Sequence, residues 1–361
     1  MRFSIVSGPR QRADLGETAY QAQRNFVEDA ILAEELGFDA NYFGEHHFCF
    51  ASGTSSPLTL LTEVAVRTKR IRVGTSVICA PFHNPLRLAE DIAAVDLISN
   101  GRFDLGIGVG SQWEEFQTFG IDPKERFGRT WEIIDIIERC HAAKVGDVFD
   151  WNGKYYNFPG INWTMQPVQE KIPIFWGGFG PQGVKRAAER GYNLIAPDVT
   201  GTYQRIMREH GRDPAKAHIG FATLVTMGDT FDDAIAPMAE PCTWVSNQYA
   251  LRPDLEGNFP PESHRITIDE VIAKARVGGI SDFAFTPPGQ KPAPFSVPLA
   301  GTVSHVRDYF LSLVRGERGL VTHFCLGFRE PGTPTESVHK SMRLFASEIL
   351  PALREEAAKP R

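Results

Sequence analysis

Short apolar runs alternate with amphipathic segments along most of the chain, and these two patterns predict strands and helices in turn. The segment 19–36 places Phe26, Ala30 and Ala33 on one face and ends before Gly37, which is typical of a helix that packs on a sheet. The strand-like runs contain few polar residues, so we expect a parallel sheet covered by helices on its outer face. The predicted strands are 3–6, 38–43, 70–79, 102–109, 173–176, 192–196, 219–227 and 321–328. The predicted helices are 19–36, 57–67, 84–98, 126–142, 182–190, 201–210, 230–238, 301–315 and 335–350.

Eight strand–helix units favour a closed (β/α)8 TIM barrel over an open doubly wound α/β sheet. Such a barrel needs about 250 residues, whereas the chain has 361. We assign the surplus to two insertions, at 145–170 and 240–300. The first contains DWNGKYYNF, a predicted hairpin with Asn-Gly at its turn. The second is rich in Pro and Gly and shows little periodicity, which is typical of lids and binding loops. Because no linker divides the chain, we expect residues 1–361 to form a single domain.

Composition narrows the class of protein. Hydrophobic residues make up 42% and charged residues 23% of the chain, as in ordinary globular proteins. The formal net charge of −6 disfavours a nucleic acid or an anionic membrane as partner. We find neither an apolar run near the ~20 residues of a membrane helix nor a secretion signal. The five cysteines are scattered without CxxC spacing, which predicts a reducing, cytoplasmic location.

Glu45, His46 and His47 follow directly after the predicted strand 38–43. In a β/α barrel the carboxyl ends of the strands form the active-site face, so polar residues there are placed for chemistry. An imidazole titrates near neutrality and suits proton transfer, which makes both histidines catalytic candidates. The alternative is that they only cap the strand end through hydrogen bonds. A shared metal ion is disfavoured, because neighbouring residues on an extended backbone point to opposite sides.

Three stretches fall at predicted strand ends: EHHF at 45–48, the long run from 72 to 110 that contains VGTSV, HNPLRLAED and GRFDLGIGVG, and WGGFGPQG at 176–183. In this combination the chain resembles the bacterial luciferase-like family of flavin-dependent monooxygenases. The resemblance covers most of 3–191 and returns in GTVSHVRDYF and LFASEILPAL near the end of the chain.

The resemblance implies where a flavin would lie. It implies that His46 acts as acid and base beside the flavin ring. It places Thr75, Ser76 and Val77 under the ring, with a non-proline cis peptide bond between Ser76 and Val77. The glycines of GIGVG, Gly108 among them, are then expected to leave room for the isoalloxazine.

The chain departs from bacterial luciferase at two family positions. Gly108 and Val109 stand where the family has a reactive cysteine and a phosphate-binding arginine. The cofactor phosphate is therefore expected at the glycine-rich turn before the helix 182–190, whose first N–H groups favour an anion; alone, such a turn is more often an ordinary strand–helix connection. The residues assigned to it are Gly177, Gly178, Phe179, Gly180, Gln182 and Gly183.

The substrate side of the pocket is assigned to Trp113, Phe116 and Glu45. The sequence SQWEEFQTFG around the first two predicts an irregular aromatic loop, and a packed surface loop is the alternative interpretation. His83 stands at the exit of the third predicted strand; it is predicted to cap the helix that begins near Asn84, and the alternative is that it reaches the mouth of the barrel.

These features predict an FMN-dependent monooxygenase that takes reduced FMN from a separate NAD(P)H:flavin reductase and uses O2 to oxidise a small organic substrate. The resemblance implies a C4a-(hydro)peroxyflavin as the oxidant and a homodimer as the assembly. GIGVG lacks the third glycine of a dinucleotide fingerprint, so no nicotinamide site is expected here. Two alternatives stay open: an F420-dependent oxidoreductase that transfers hydride, and a flavin-binding protein without catalytic activity.

Overall fold

The computed structural model describes residues 1–48, 55–178, 180–198, 200–279 and 291–359. Its strands are β1 (Arg2–Val6), β2 (Ala40–Phe43), β3 (Arg72–Thr75), β4 (Ile78–Cys79), β5 (Phe103–Gly108), β6 (Val148–Asn152), β7 (Asn157–Asn162), β8 (Ile174–Trp176), β9 (Asn193–Leu194), β10 (Gly220–Met227), β11 (Pro298–Gly301) and β12 (His323–Gly327). Its α-helices are α1 (Ala19–Glu35), α2 (Pro57–Arg67), α3 (Pro85–Ser99), α4 (Trp113–Phe119), α5 (Arg126–Ala142), α6 (Pro181–Arg190), α7 (Thr202–Glu209), α8 (Phe231–Ile235), α9 (Ala239–Ala250), α10 (Ile268–Arg276), α11 (Val303–Val314), α12 (Thr335–Leu344) and α13 (Leu350–Ala357).

The parallel strands form one curled sheet in the order β11–β10–β12–β1–β2–β3–β5–β8–β9, with β4 paired to β5. A bridge between Leu194 and Ile219 joins β9 to the start of β10 and closes the curl. The barrel wall therefore consists of β1, β2, β3, β5, β8, β9, β10 and β12, and the predicted (β/α)8 fold is confirmed. Since the strands are parallel, their carboxyl ends share one face, the mouth of the barrel.

The helices bury their apolar faces against the outside of this wall. In α1 a capping box at Thr18 and Gln21 satisfies the first backbone N–H groups. The buried face of α1 includes Phe26, whose ring meets Phe43 of β2 edge to face at a centroid distance of 4.7 Å. Gly37 turns the chain out of the helix with φ +83°, a conformation that favours glycine. The amphipathic pattern of the sequence was therefore sufficient to predict α1.

The amino-terminal half of the barrel interior is polar. Tyr42 donates its hydroxyl hydrogen to Asp104 Oδ2 at 2.6 Å, and Arg2 Nη1 donates to the same oxygen at 2.7 Å. The His323 Nε2 lies 2.8 Å from the Ser4 Oγ. These hydrogen bonds satisfy polar groups that would otherwise be costly to bury.

His218 and His323 pack against each other in this polar half of the interior, the polar floor of the barrel. His218 stacks on Phe175 at 5.6 Å between ring centroids and lies 5.4 Å from the ring of His323. Burial and the positive charge of Arg2 lower the pKa of His218 to about 4. The same two causes, with His218 itself, hold the pKa of His323 well below its usual value. Both rings are therefore neutral near pH 7.

The predicted third strand, 70–79, is divided in two. β3 ends at Thr75 and β4 begins at Ile78, and the peptide bond between Ser76 and Val77 is cis, as the family resemblance implied. Both halves pair with β5, so the interruption redirects the chain without removing it from the sheet.

The insertion at 145–170 forms the predicted hairpin. β6 and β7 pair antiparallel, and the Gly153 N–H donates to the Tyr156 carbonyl at 2.9 Å to close the turn. Among the residues described, no helix is both long and apolar enough to cross a membrane.

Two predictions of irregular structure were wrong. The segment predicted as an aromatic loop contains α4, and the insertion at 240–300 contains α9, α10 and β11. α10 begins with a capping box at Thr267 and Glu270, a signal that the sequence did carry. α9 buries Cys242 and Val245 against the rest of the molecule, so tertiary packing stabilises a helix whose sequence has weak periodicity.

Candidate active site

The turns that follow β2, β3, β5 and β8 meet at the mouth of the barrel. A β-carbon on Gly44 would lie 2.6 Å from the Ser76 carbonyl oxygen, which shows how closely these two turns approach. A β-carbon on Gly108 would lie 2.7 Å from Val77 Cγ2, and one on Gly177 would lie 2.5 Å from Val77 Cγ1. The structure therefore brings Ser76, Val77, Gly108 and Gly177, four of the residues assigned to the flavin, close to one another.

Thr75 fastens β3 to β5 beneath this mouth. Its hydroxyl donates to the Gly106 carbonyl at 2.7 Å and accepts the Gly106 N–H at 3.0 Å. Thr75 is buried and its Oγ1 is used by backbone groups. Its side chain thus sets the spacing of two strands, while the next two residues, Ser76 and Val77, are partly exposed at the mouth.

His46 lies between a carboxylate and a phenol. Its Nδ1 is 3.2 Å from Oε1 of Glu115, which belongs to α4. Its Nε2 is 3.3 Å from the hydroxyl of Tyr249, which belongs to α9 in the insertion. The His46 side chain retains 22% of its exposure, whereas the Glu115 side chain is fully buried. An imidazole with both nitrogens in hydrogen bonds and one open side is suited to holding and moving a proton.

His47 is held by different partners. Its Nε2 lies 3.0 Å from Oε1 of Glu45, and its ring meets Phe119 edge to face at 5.0 Å. Its backbone N–H donates to Glu115 Oε1 at 2.8 Å. The adjacent histidines thus diverge onto two carboxylates. No group of three or more metal-ligating side chains is found within the described ranges.

Glu45 organises the turn from inside. It accepts the Cys79 N–H at 2.6 Å and lies 2.8 Å from His83 Nε2. Burial alone would raise the pKa of the Glu45 carboxyl group, but the hydrogen bonds with His47 and His83 outweigh burial and lower it.

This geometry corrects two predictions. Glu45 was assigned to the substrate, but its side chain is fully buried and its oxygens are used by protein groups. His83 was expected to cap the helix at Asn84; instead the Asn84 side chain accepts from Leu86 and Arg87 N–H groups, and His83 joins the mouth through Glu45. The sequence alone could not predict either role, because both depend on contacts between turns that are far apart in the chain, those of Glu45 with Cys79 and His83.

The two aromatic residues assigned to the substrate side differ in placement. Phe116 is only 1% exposed and packs against Phe82 at 4.9 Å, so it supports the mouth from behind. Trp113 is partly exposed and lies against Gly257 of the insertion. The two residues differ because α4 is a helix, in which neighbouring positions point to different sides. Only Trp113 therefore remains a candidate for substrate contact.

The glycine-rich turn leads directly into α6. Gly180 is the N-cap of this helix, and a β-carbon there would meet nothing within 4 Å. β-Carbons on Gly178 and Gly183 would each lie within 2.8 Å of the Trp176 indole, so the turn packs flat on that ring. Gln182 in the first turn is exposed. The predicted cofactor residue Phe179 lies outside the described residues.

Two residues of the site were not predicted: Glu115 and Tyr249. Glu115 lay within the segment treated as a loop. It could have been found by predicting a helix at WEEF, because a helix directs Glu114 and Glu115 to different sides. Tyr249 had no local signal, because it reaches His46 across 203 positions of sequence.

Comparison with known proteins agrees with this geometry. A family model described as luciferase-like monooxygenase matches residues 1–279. The chain is similar to the alkanal monooxygenase alpha chain of Photobacterium leiognathi, with 28% identity over 354 residues, 94% of this chain and 96% of that protein.

Two further relatives are matched over about half of each chain. The oxygenase component of a flavin-dependent trigonelline monooxygenase from Acinetobacter baylyi is 31% identical over 197 residues, 54% of this chain and 53% of the relative. An F420-dependent glucose-6-phosphate dehydrogenase from Amycolatopsis mediterranei is 34% identical over 185 residues, 49% of this chain and 54% of the relative.

Solved structures share the fold over the whole chain. Monooxygenase RslO1 from Streptomyces bottropensis superposes with a TM-score of 0.79 at 23% identity, covering 98% of this chain and 99% of that one. The oxygenating constituent of 3,6-diketocamphane monooxygenase from Pseudomonas putida, in complex with FMN, gives 0.75 at 20% identity, covering 97% and 98%.

Proposed function

The chain belongs to the luciferase-like monooxygenase family, and from that premise we propose that it is an FMN-dependent monooxygenase that uses reduced FMN and O2 to oxidise a small organic substrate. The observation that carries the proposal is the convergence of Val77, Gly108 and Gly177 at one mouth with His46 beside them. The Glu45 N–H donates to the Val77 carbonyl at 3.1 Å, which fixes the turn that bears His46 next to the cis peptide bond.

The residues at the mouth fit a flat ring system. Gly44, Gly108 and Gly177 each lack a side chain where the backbone of a neighbouring turn, or Val77, stands close. Glycine at these three positions lets the turns pack closely against each other and against Val77, and in this proposal the planar cofactor lies against the surface that they form. In this proposal Ser76 and Val77 support the ring, and Thr75 keeps their strands in register.

The amino terminus of α6 fits the cofactor phosphate. Gly180 carries no capping side chain and Pro181 has no N–H, so the N–H groups of Gln182 and Gly183 are available to an anion. The ten-residue length of α6 gives its amino terminus a favourable dipole. The first two positive charges on this helix are already engaged: Lys185 pairs with Glu189 at 3.7 Å, and Arg186 stacks on the Trp131 ring at 4.5 Å.

Reduced FMN, when bound, supplies the electrons with which O2 is activated for transfer of one oxygen atom to the substrate. His46 accepts and returns a proton at Nε2, the nitrogen on the Tyr249 side. Trp113 and the insertion border the space in which the substrate would lie. Buried Phe116 and the Phe82 ring exclude water behind the turn 45–48, which carries His46.

A separate NAD(P)H:flavin reductase is part of this proposal. It is supported by a relative that shares about half of its length and is named as the oxygenase component of a flavin-dependent enzyme. We also propose a homodimer, by similarity to the family.

A second candidate is hydride transfer with F420, a deazaflavin. It is favoured by the similarity to an F420-dependent dehydrogenase over about half of each chain. F420 is a flavin analogue with a comparable flat ring, so the mouth alone does not discriminate between the two cofactors.

One experiment separates the candidates. The purified protein is supplied with FMN, NADH and a general flavin reductase, or in a parallel assay with F420, and oxygen consumption is followed with aldehydes, ketones and nitrogen heterocycles. Substrate-dependent oxygen consumption with an oxygenated product supports the proposal. Turnover with F420 and no oxygen incorporation would replace it with the second candidate. Bound FMN without any turnover across the panel would favour a non-catalytic flavin-binding protein.

A further inference from the structure

We propose that Glu115 is a positioning residue that holds His46 in the tautomer with its proton on Nδ1, so that Nε2 is the proton-accepting nitrogen at the mouth. The catalytic consequence rests on the proposed function. The tautomer itself is a property of the protein, and it can be tested without turnover.

The hydrogen bonds of Glu115 determine its role. Its Oε1 accepts the His47 backbone N–H at 2.8 Å, a donor that cannot change direction. The same oxygen lies 3.2 Å from His46 Nδ1. An ionised carboxylate oxygen is an acceptor only, so the partner at Nδ1 must donate.

The opposite tautomer is disfavoured by the same geometry. With its proton on Nε2, His46 would direct the Nδ1 lone pair at the Glu115 oxygen, and two acceptors would face each other at 3.2 Å. With its proton on Nδ1, His46 donates to Glu115, and Nε2 accepts the Tyr249 hydroxyl hydrogen at 3.3 Å. Which ring nitrogen carries the proton is set by the hydrogen bond that the other nitrogen makes.

Burial makes this arrangement stiff. The Glu115 side chain is fully enclosed, so solvent does not compete for its oxygen. α4 is tied to the segment just after α9 by an ion pair between Glu114 and Arg252 at 2.7 Å. One helix of the barrel connection and one of the insertion thus hold His46 from both sides.

The proposed reaction explains why the tautomer matters. Proton transfer at the mouth requires a nitrogen with a lone pair that accepts a proton directly or through the Tyr249 hydroxyl. Nε2 fits this requirement only while Nδ1 keeps the proton. Loss of Glu115 should therefore lower kcat while binding of FMN, which depends on the glycine turns, remains close to that of the parent.

The direct test is the imidazole spectrum of the unmodified protein. Histidine is labelled with 15N, the His46 resonances are assigned by their loss in His46→Gln, and spectra are recorded at about pH 8, above the usual histidine pKa. A protonated Nδ1 with a pyridine-like Nε2 supports the proposal. A dominant proton on Nε2, or a ring protonated on both nitrogens at this pH, overturns it.

Variants then test whether Glu115 is the cause. Glu115→Met has a similar size and no acceptor oxygen, and it should populate the Nε2–H tautomer; Glu115→Leu, which also lacks an acceptor, serves if the first variant does not fold. Glu90→Gln, which removes an exposed carboxylate on α3, should leave the His46 spectrum unchanged. A His46 spectrum identical to that of the parent in both Glu115 variants would overturn the positioning role.

The two proposals can fail separately. If the tautomer is as expected but no substrate consumes oxygen, the proposed function fails and this inference stands. If turnover is found and Glu115→Met retains the parental kcat and tautomer, the inference fails and the function stands. The expected loss of kcat is about 10²-fold to 10⁴-fold, the usual contribution of a positioned acid or base.

Discussion

The side chain of Val77 fills the space that a β-carbon on Gly177 would need, with Cγ1 only 2.5 Å from that position. Real β-carbons essentially never approach a neighbour so closely, so the absence of a side chain at Gly177 permits the contact between two turns. The close approach joins the cis peptide segment to the glycine-rich turn. In our proposal these are the two parts of the protein that hold the ring and the phosphate of one cofactor.

Gly177→Ala should therefore weaken FMN binding by about tenfold, because overpacking of about 1–3 kcal/mol must displace Val77 or the turn. Binding is measured by quenching of FMN fluorescence. Val77→Ala in the same chain removes the clashing methyl groups and should recover most of the affinity. Gly180→Ala, with open space around its β-carbon and φ −66°, should leave the melting temperature unchanged. Equal FMN affinity in the parent and in Gly177→Ala would contradict the proposed site.

His46→Ala should retain FMN binding and lose product formation by about 10²-fold to 10⁴-fold, because it removes the group proposed to transfer protons. Product is quantified with a substrate found in the oxygen-consumption screen. His305→Ala on α11 removes an exposed imidazole outside the site and serves as the matched control. A His46→Ala protein as active as the parent would show that the imidazole has no catalytic role.

The sequence predicted those parts of the molecule that carry their own local signal. α1 has an apolar stripe and a glycine stop, and the histidine turn follows an apolar strand. Glu115 and Tyr249 could not be found in this way, because their function depends on contacts with His46 from α4 and α9. Nothing in a local window distinguishes a carboxylate that faces solvent from one that is buried on an imidazole.

The insertion shows the same limit. Its low periodicity led to a prediction of loops, although the capping box at Thr267 and Glu270 was visible. α9 gains its stability from packing and from Arg12, whose guanidinium donates to both Glu240 oxygens at 2.8 and 2.9 Å. These hydrogen bonds join residues that are far apart in the chain, so they leave no recognisable pattern in the sequence around α9.

Arg12→Met should loosen α9 and reduce activity. Arg12 is only 2% exposed, pairs with Asp14 and Glu240, and stacks on the Trp244 ring at 4.9 Å. Because Glu240 is half exposed, we expect a modest loss of about 1–3 kcal/mol rather than the full cost of breaking a buried pair. Faster amide hydrogen exchange in α9, with unchanged exchange in β1, β2 and β12, is the expected signature.

The control for this variant is Arg205→Met in α7. Arg205 pairs with Glu209 one helical turn away, and both side chains are more than half exposed. The loss of such a pair should change the free energy of unfolding by less than about 0.5 kcal/mol. If Arg12→Met and Arg205→Met show the same exchange in α9, Arg12 does not hold the insertion.

The polar floor of the barrel should make stability depend on pH. His218 is neutral in the folded protein, with its pKa lowered to about 4 by burial and by Arg2, against 6.5 in the unfolded chain. Arg72, Asp104 and the amino terminus also act on this ring, and His323 packs against it. Below pH 6.5 the unfolded chain binds a proton that the folded protein does not. Stability therefore falls as the pH drops from about 6.5 to about 4.

His218→Gln should reduce this dependence, because the replacement cannot be protonated in either state, while His323, whose pKa is also lowered, keeps its own contribution. At about 1.4 kcal/mol for each pH unit between 6.5 and about 4, the parent should lose about 3 kcal/mol of unfolding free energy that the variant retains. Urea unfolding at pH 7, 6, 5 and about 4.5 measures the slope. The pKa of Glu45 is lowered from 4.5, so the stability that its carboxylate contributes is lost only below that pH and does not affect the slope measured above it. Equal slopes in parent and variant would show that His218 does not remain neutral in the folded barrel, and that its stacking on Phe175 tolerates a charge.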